Sequence, residues 1–215
     1  MVGGKLASYR LFSEEMVDIL ARRFDLASSC SSHLVSLPGG DLNVDSMAFA
    51  KRVGVDAVAA RRLCYRHGSR SERIAERLAR QPSEHRVVCV CEPVLEAEVR
   101  YAIREEFARS VEDVSRRTRL GLGSCGAMRC AAACGAIVAD ECGYDAVAGQ
   151  RQALRFLQRQ ARTRVCGLGP QQARQEALAI ASIRSQLNVA ARDEEHEALS
   201  PLPKSVQNSS ESDGE

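Results

Sequence analysis

Two closely spaced pairs of cysteines could form a chemically functional site in this chain. Cys89 and Cys91 lie in the run VVCVCEPV, and Cys125 and Cys130 lie in the run GLGSCGAMRC. Thiolates gathered at one point repel each other unless a cation neutralises them, so four converging cysteines usually indicate zinc or iron. The pattern therefore predicts a four-thiolate metal site, which we call the cysteine site.

The spacing within each pair helps to choose the metal. Structural zinc sites favour two to four residues between paired ligands, whereas one residue separates the first pair and four separate the second. Gly121, Gly123 and Gly126 leave backbone N–H groups free to approach inorganic sulfide, which favours a 2Fe-2S cluster. Zinc and inert thiols in an Ala-rich core remain alternatives. The remaining cysteines are predicted to fill the core: Cys30, Cys64, Cys134, Cys142 and Cys166.

A helical hairpin is the element that must bring the two pairs together. The 33 residues between the pairs are enough for it. Apolar spacing predicts a helix over 94–108, and Ser110 followed by Asp113 predicts the start of the next helix. The inward positions of the first helix are Val99, Ala102, Ile103 and Phe107.

The composition predicts a mainly α fold of short helices. Aromatic residues make up 4% and Trp is absent, while Ala, Arg, Leu and Glu are abundant. We expect two small modules, a helical one over 13–82 and the 2Fe-2S hairpin module over 83–142. A helical extension over 143–188 follows. Residues 189–215 are acidic and rich in Ser, Pro and Glu, which predicts a disordered tail.

Within the first module, residues 13–25 are predicted to form a helix with one buried apolar face. That face comprises Met16, Ile19, Leu20 and Phe24. Leu63, Ile74 and Leu78 are further core candidates. His67, in the run RHGSR, has no second His at metal spacing and no acidic partner that can be identified from the sequence, so we interpret it as structural or solvated.

Charge and hydropathy exclude several classes of protein. The net charge is +2, from thirty basic and twenty-eight acidic residues that are interspersed, so the basic patch of a nucleic-acid-binding protein is missing. No apolar run is long enough to span a membrane, and no secretory signal precedes the first helix. Nine cysteines cannot all pair within one chain. These features predict a cytoplasmic protein with at most peripheral membrane association.

Two segments carry a family resemblance. GGKLASYRLFSEE resembles the end of the flavin domain in FAD-dependent glycerol-3-phosphate dehydrogenases. The run from VVCVCEPV to GLGSCGAMRC resembles the C-terminal part of the A subunit of the anaerobic enzyme, which is similar to the bacterioferritin-associated ferredoxin module, a small helical 2Fe-2S domain. The resemblance implies that residues 1–12 are a remnant of a flavin domain, that Gly3, Gly4 and Lys5 approach the flavin, and that the cysteine site holds the cluster.

A flavin domain also needs a glycine-rich strand-to-helix turn for the pyrophosphate, and no residues before Gly3 supply one. We therefore expect no catalytic residue in this chain, no activity of the chain alone, and FAD only if a flavin domain from elsewhere completes it. The implied function is a C-terminal portion or subunit of a glycerol-3-phosphate dehydrogenase that passes electrons from flavin through the cluster to a quinone. The alternative is a stand-alone, non-catalytic 2Fe-2S or zinc module acting as an electron carrier or assembly partner.

The resemblance also implies partners and a location. The partners are a flavoprotein or the missing flavin domain, and a quinone or an electron-transfer subunit. The chain would lie at the inner membrane of a bacterium, or in the mitochondrion of a eukaryote.

Overall fold

The computed structural model describes residues 6–26, 29–41 and 43–189. The helices are α1 (Tyr9–Arg23), α2 (Ser46–Val53), α3 (Ala57–His67), α4 (Ser71–Arg80), α5 (Glu96–Glu105), α6 (Val111–Thr118), α7 (Ala131–Cys142), α8 (Ala146–Val165) and α9 (Pro170–Gln186). The strands β1 (Val87–Cys89) and β2 (Val94–Leu95) form an antiparallel pair. The fold is mainly helical, as predicted. None of the described helices is long and apolar enough to cross a membrane.

Local capping explains where several helices begin. The Ser110 side chain accepts a hydrogen bond from the backbone N–H of Asp113 at 3.1 Å, which confirms the predicted start of α6. Aspartate side chains cap three other helices in the same way, at Asp45, Asp56 and Asp145. Each cap supplies an acceptor to a backbone N–H that has no partner within its helix.

Helix α5 lies between two hydrophobic clusters and is buried on both sides. Ala97 and Tyr101, four residues apart on one face, pack with α2, α3 and α4. Val99, Ala102 and Ile103 pack instead with α6, α7 and α8. The predicted core residues of the first cluster are confirmed: Leu63, Ile74 and Leu78 are fully buried. Helix α5 therefore contributes residues to both clusters.

One predicted core face and one further predicted core residue are wrong. Helix α1 has no buried residue, and all four apolar residues of its predicted inner face are exposed. The helical period was correct, but no described element packs over that face. Phe107 is 74% exposed because α5 ends at Glu105 and Phe107 adopts a left-handed φ of 57°, which turns its side chain away from the helix face.

An ion-pair network ties α5 to α7. Arg100 donates to Glu96 at 2.9 Å and to Glu141 at 2.6 Å, and Arg104 donates to Glu141 at 2.6 Å. Burial opposes ionisation of Glu141, but the hydrogen bonds from Arg104 and Arg100 outweigh it and hold its pKa below the usual 4.5. Ionised Glu141 therefore fastens the end of α7 to the middle of α5.

Replacing Glu141 by glutamine is expected to make stability less sensitive to acid. A carboxyl whose pKa is lower in the folded chain stabilises the fold above its unfolded pKa, and this contribution is lost as the pH falls through the folded pKa. The free energy of unfolding of the parent chain should therefore decrease between about pH 5 and pH 3, and the Glu141→Gln variant should lose less over that range. Urea unfolding at several pH values measures both slopes.

Glu105→Gln is the matched control, because Glu105 is exposed and lies 3.9 Å from Arg73. Its slope should match that of the parent chain. Equal slopes for all three proteins would show that the Glu141 contacts do not contribute.

Candidate metal centre

The first cysteine pair lies on the turn between β1 and β2. Cys89 ends β1 opposite Val94 and is 1% exposed, whereas Cys91 lies in the turn and is partly buried. Backbone N–H groups of Gly121, Glu92 and Cys91 near the Cys89 sulfur act to lower the pKa of this thiol, because they stabilise negative charge on sulfur. The sequence analysis predicted that Cys89 and Cys91 belong to one site, but it did not predict this strand pair.

The second pair lies on the loop that joins α6 to α7. The chain leaves α6 through Arg119, which has a left-handed φ of 63°, and turns again at Gly121, with a φ of 83°. Gly126 and Ala127 are left-handed as well, with φ values of 60° and 70°. Ala127 is a non-glycine residue in a region that costs free energy, so surrounding contacts must impose this conformation. The loop presents a partly buried Cys125 and a buried Cys130.

The two segments meet through their sulfurs. The Cys130 thiol donates to the backbone carbonyl of Ala127, 3.7 Å away, and lies in the same buried cluster as Cys89. The neighbouring Cys130 thiol lowers the pKa of Cys89 to about 5 in spite of its burial. The neighbouring Cys89, burial, Cys125 and Cys134 raise the pKa of Cys130. Cys91 packs on Gly123, where an added Cβ would lie 3.3 Å from the Cys91 sulfur. Each segment thus faces the other with a cysteine.

The described residues test whether the cysteine site fits a metal. They contain no group of three or more His, Cys, Asp or Glu side chains arranged to hold a metal ion. The structure buries Cys89 and Cys130 in one cluster and packs Cys91 against it, but it does not bring any three of the four thiols into a ligand arrangement. The donor chemistry fits, because four soft thiols and backbone N–H donors to sulfur suit an iron–sulfur cluster.

The remaining predicted site residues and cysteines have separate outcomes. Gly3, Gly4 and Lys5 lie outside the described residues. Cys134 lies one turn after Cys130 on α7, is fully buried, and has a pKa raised to about 12 by burial and by Cys89. The prediction that the other cysteines fill the core is correct for Cys134 and Cys64, both buried. It is wrong for Cys166, which is exposed, and Cys30 and Cys142 are only partly buried.

A buried arginine supports the first cysteine turn. The Arg66 guanidinium forms an ion pair with Glu98 at 2.6 Å, and both side chains are almost completely buried. Arg66 also donates to the backbone carbonyls of Glu92 and Pro93, each at 3.1 Å. These carbonyls directly follow Cys91, so α3 holds the turn in position. No pattern in the sequence predicted this contact.

His67 lies in the same cluster of buried charges. Its ring is 3.3 Å from a Glu98 carboxylate oxygen and 4.0 Å from Glu106. It also makes an edge contact with Tyr101, with 5.7 Å between ring centroids. The interpretation of His67 as structural fits this burial, but its acidic partners lie more than thirty positions along the chain and were not identifiable from sequence spacing.

The fold and the site define a mainly helical domain that buries two cysteine thiols, one from a β-turn and one from an interhelical loop, in the same cluster. Comparison with known proteins makes the class more specific. The chain belongs to the family described as the C-terminal domain of alpha-glycerophosphate oxidase, whose sequence model matches residues 30–148.

Curated relatives are dehydrogenases of glycerol 3-phosphate by name. The A subunit of the anaerobic glycerol-3-phosphate dehydrogenase of Haemophilus influenzae is 33% identical over 136 residues, which are 61% of this chain and 23% of that protein. The corresponding A subunit from Escherichia coli is 32% identical over 131 residues, with the same coverage. A probable mitochondrial glycerol-3-phosphate dehydrogenase of Dictyostelium discoideum is 29% identical over 125 residues, 56% of this chain and 19% of that protein.

These comparisons confirm the predicted similarity to the C-terminal part of glycerol-3-phosphate dehydrogenases. The chain spans less than a quarter of the length of these relatives. No solved structure matches it. The ferredoxin-like 2Fe-2S module stays a prediction.

Proposed function

We propose that this chain is the C-terminal portion or a subunit of an FAD-dependent glycerol-3-phosphate dehydrogenase and carries electrons from the flavin to a quinone. The carrier is a 2Fe-2S cluster bound by Cys89, Cys91, Cys125 and Cys130. One observation carries the proposal: in a chain similar to dehydrogenase subunits, the thiols of Cys89 and Cys130 from two separate cysteine pairs are buried in one cluster.

The proposed reaction oxidises glycerol 3-phosphate to dihydroxyacetone phosphate. This oxidation removes two electrons and two protons from the substrate, and a quinone would take up the same number of each. A bound FAD would supply the hydride acceptor, and a 2Fe-2S cluster held by the four cysteines would supply a one-electron relay between these two-electron carriers. The residues of this chain would hold the sulfurs and exclude water from Cys89 and Cys130. Backbone N–H groups near Cys89 would stabilise the negative charge that reduction adds to the cluster and its sulfurs.

The proposed reaction requires two kinds of partner. A flavoprotein, or the flavin domain of a longer chain, supplies FAD and the substrate site, and Gly3, Gly4 and Lys5 are proposed to approach that flavin. The electrons leave to a quinone or to an electron-transfer subunit. We place the chain in the cytoplasm, peripheral to the inner membrane, or in the mitochondrion of a eukaryote.

Iron is preferred to zinc because of the ligand spacing. Zinc pairs usually have two to four intervening residues, whereas Cys89 and Cys91 have one. The N–H donors around Cys89 also suit a cluster whose potential depends on hydrogen bonds to sulfur.

Metal analysis of the anaerobically expressed and purified chain tests the proposal. We expect iron and acid-labile sulfide in equal amounts, a visible absorption spectrum, and a paramagnetic signal after reduction. Stoichiometric zinc without sulfide would contradict the cluster and favour the non-catalytic zinc module. Co-expression with the flavin-binding portion of a homologous dehydrogenase tests the proposed electron transfer from flavin to quinone. The two proteins should co-purify, and their complex should reduce a quinone analogue when glycerol 3-phosphate is added.

A further inference from the structure

An open cleft lies along α4 and α5, and no cysteine lines it. Its volume is about 590 Å³. Six of the eight residues that line this cleft are charged, and the arginines outnumber the glutamates. The charged residues are Arg73, Glu76, Arg77, Arg80, Arg104 and Glu105. A cleft with an excess of cations attracts anions.

The helix period gathers the arginines of the cleft. Arg73, Arg77 and Arg80 follow one another at intervals of four and three residues on α4, and side chains at this spacing are neighbours on one face. Arg104 comes from the last turn of α5. The cleft therefore offers guanidinium groups from two helices, which can approach one ligand from different sides.

Two of these arginines are held in place by carboxylates that do not line the cleft. Arg77 donates to Glu84 through Nε and Nη2, and Arg104 donates to Glu141 through the same two nitrogens. In both side chains Nη1 makes no hydrogen bond with the part of the chain that the structure describes. The ion pairs thus fix two guanidinium groups and leave a donor on each for a ligand.

The other two arginines are less engaged. Arg80 is exposed and pairs with no carboxylate among the described residues. Arg73 is exposed as well and reaches Glu105 only at 3.9 Å. An exposed pair at this distance contributes little, so the charge of Arg73 also remains available to a ligand.

Tyr101 adds a neutral donor at the bottom of the cleft. It lines the cleft although it is only 4% exposed. Its ring contacts His67, but its hydroxyl forms no hydrogen bond with any described residue. Burial raises the pKa of Tyr101, so the hydroxyl keeps its proton at neutral pH and can donate to an anion. A largely buried hydroxyl without a protein partner is a place for an acceptor atom of a ligand.

The chemistry of these donors selects the class of ligand. Guanidinium groups suit phosphate, which presents three acceptor oxygens and up to two negative charges at neutral pH. The cleft is larger than a phosphate group and has the volume of a site for a small molecule. Its charged walls argue against a mainly apolar ligand.

We propose that the cleft between α4 and α5 binds a small phosphate monoester. Arg73, Arg80 and the Nη1 groups of Arg77 and Arg104 contact the phosphate, and the Tyr101 hydroxyl donates to it from the bottom of the cleft. This site goes beyond the proposed electron transfer and requires no metal.

Isothermal titration calorimetry of the full chain tests the proposal, with inorganic phosphate and ribose 5-phosphate as probes. Both should bind, and ribose should not. Arg80→Gln should weaken the binding of both phosphates about threefold to tenfold, because it removes a charged donor. Glu76→Gln removes a negative charge from the cleft and should strengthen their binding. Tyr101→Phe keeps the ring against His67 and should weaken their binding.

Arg62→Gln is the matched control, because Arg62 is also exposed and pairs with no carboxylate in the described part of the chain. It changes the net charge by the same amount as Arg80→Gln and should keep the parent affinity. Equal losses in these two variants would show attraction by net charge alone and would overturn the site. Absence of phosphate binding by the parent chain, or weaker binding by Glu76→Gln, would overturn it as well.

The fold of each variant is checked by its helical circular dichroism. Arg80, Glu76 and Arg62 are exposed, so their variants should keep the parent helix content. If Tyr101→Phe loses helix content, the comparison of Arg80→Gln with Arg62→Gln decides. Iron and sulfide content is a separate measurement, so failure of the phosphate site leaves the proposed electron transfer intact, and the reverse also holds.

Discussion

Replacing Cys125 by serine is expected to remove the bound cluster. Cys125 lies between Gly123 and Gly126 on the loop that faces Cys91, and we propose it as one of four thiolate ligands. Even partners that only orient a metal ligand typically cost about 10- to 100-fold in metal affinity, so loss of a ligand should cost at least that much. Iron and sulfide content, together with visible absorbance per chain, measures the loss.

Cys166→Ser is the matched control because Cys166 is also accessible but follows the end of α8. It should retain iron, sulfide and absorbance at the level of the parent chain. Cys134→Ser provides a sharper comparison, since Cys134 is buried one turn from Cys130. If Cys134→Ser loses the chromophore while Cys125→Ser keeps it, the proposed ligand set is wrong and Cys134 takes the place of Cys125.

Replacing Arg66 by methionine is expected to destabilise the chain by about 3–5 kcal/mol, because it leaves the buried Glu98 carboxylate without its cation. It also removes the donors to the carbonyls of Glu92 and Pro93, which support the turn after Cys91. The free energy of unfolding in urea measures this cost. The double variant Arg66→Met with Glu98→Leu should recover part of it, since no buried charge then lacks a partner.

Arg52→Met gives the corresponding control at an exposed pair. Arg52 donates two hydrogen bonds of 2.7 Å to Glu72, but both side chains are about half exposed. Exposed ion pairs contribute about 0–1 kcal/mol, so this variant should remain near the parent stability. An Arg66→Met cost no larger than that of Arg52→Met would show that water or another group compensates Glu98.

Features set by neighbouring residues could be predicted from the sequence. Helix periodicity identified Leu63, Ile74 and Leu78 as core residues, and the Ser110–Asp113 pair located the start of α6. The two cysteine pairs were recognised for the same reason, because their chemistry is visible in the spacing along the chain. Periodicity also predicted a helix near residues 13–25, although it could not say whether another element would cover its apolar face.

The sequence could not predict contacts between residues that are far apart along the chain. Glu98 lies 31 positions after His67, and nothing in either local segment indicates that the two side chains meet. Phe107 is an error of a different, local kind, because it fits the helical period but the helix ends two residues earlier.

The position of α5 between two hydrophobic clusters has a consequence for cooperativity. Unfolding either cluster would expose one side of a helix that is buried on both, so the two clusters should unfold in a single transition rather than independently. Any ligand that binds only the folded cysteine site then adds its binding free energy to the stability of α2, α3 and α4 as well. Occupancy of the thiols would in this way protect helices that never touch them.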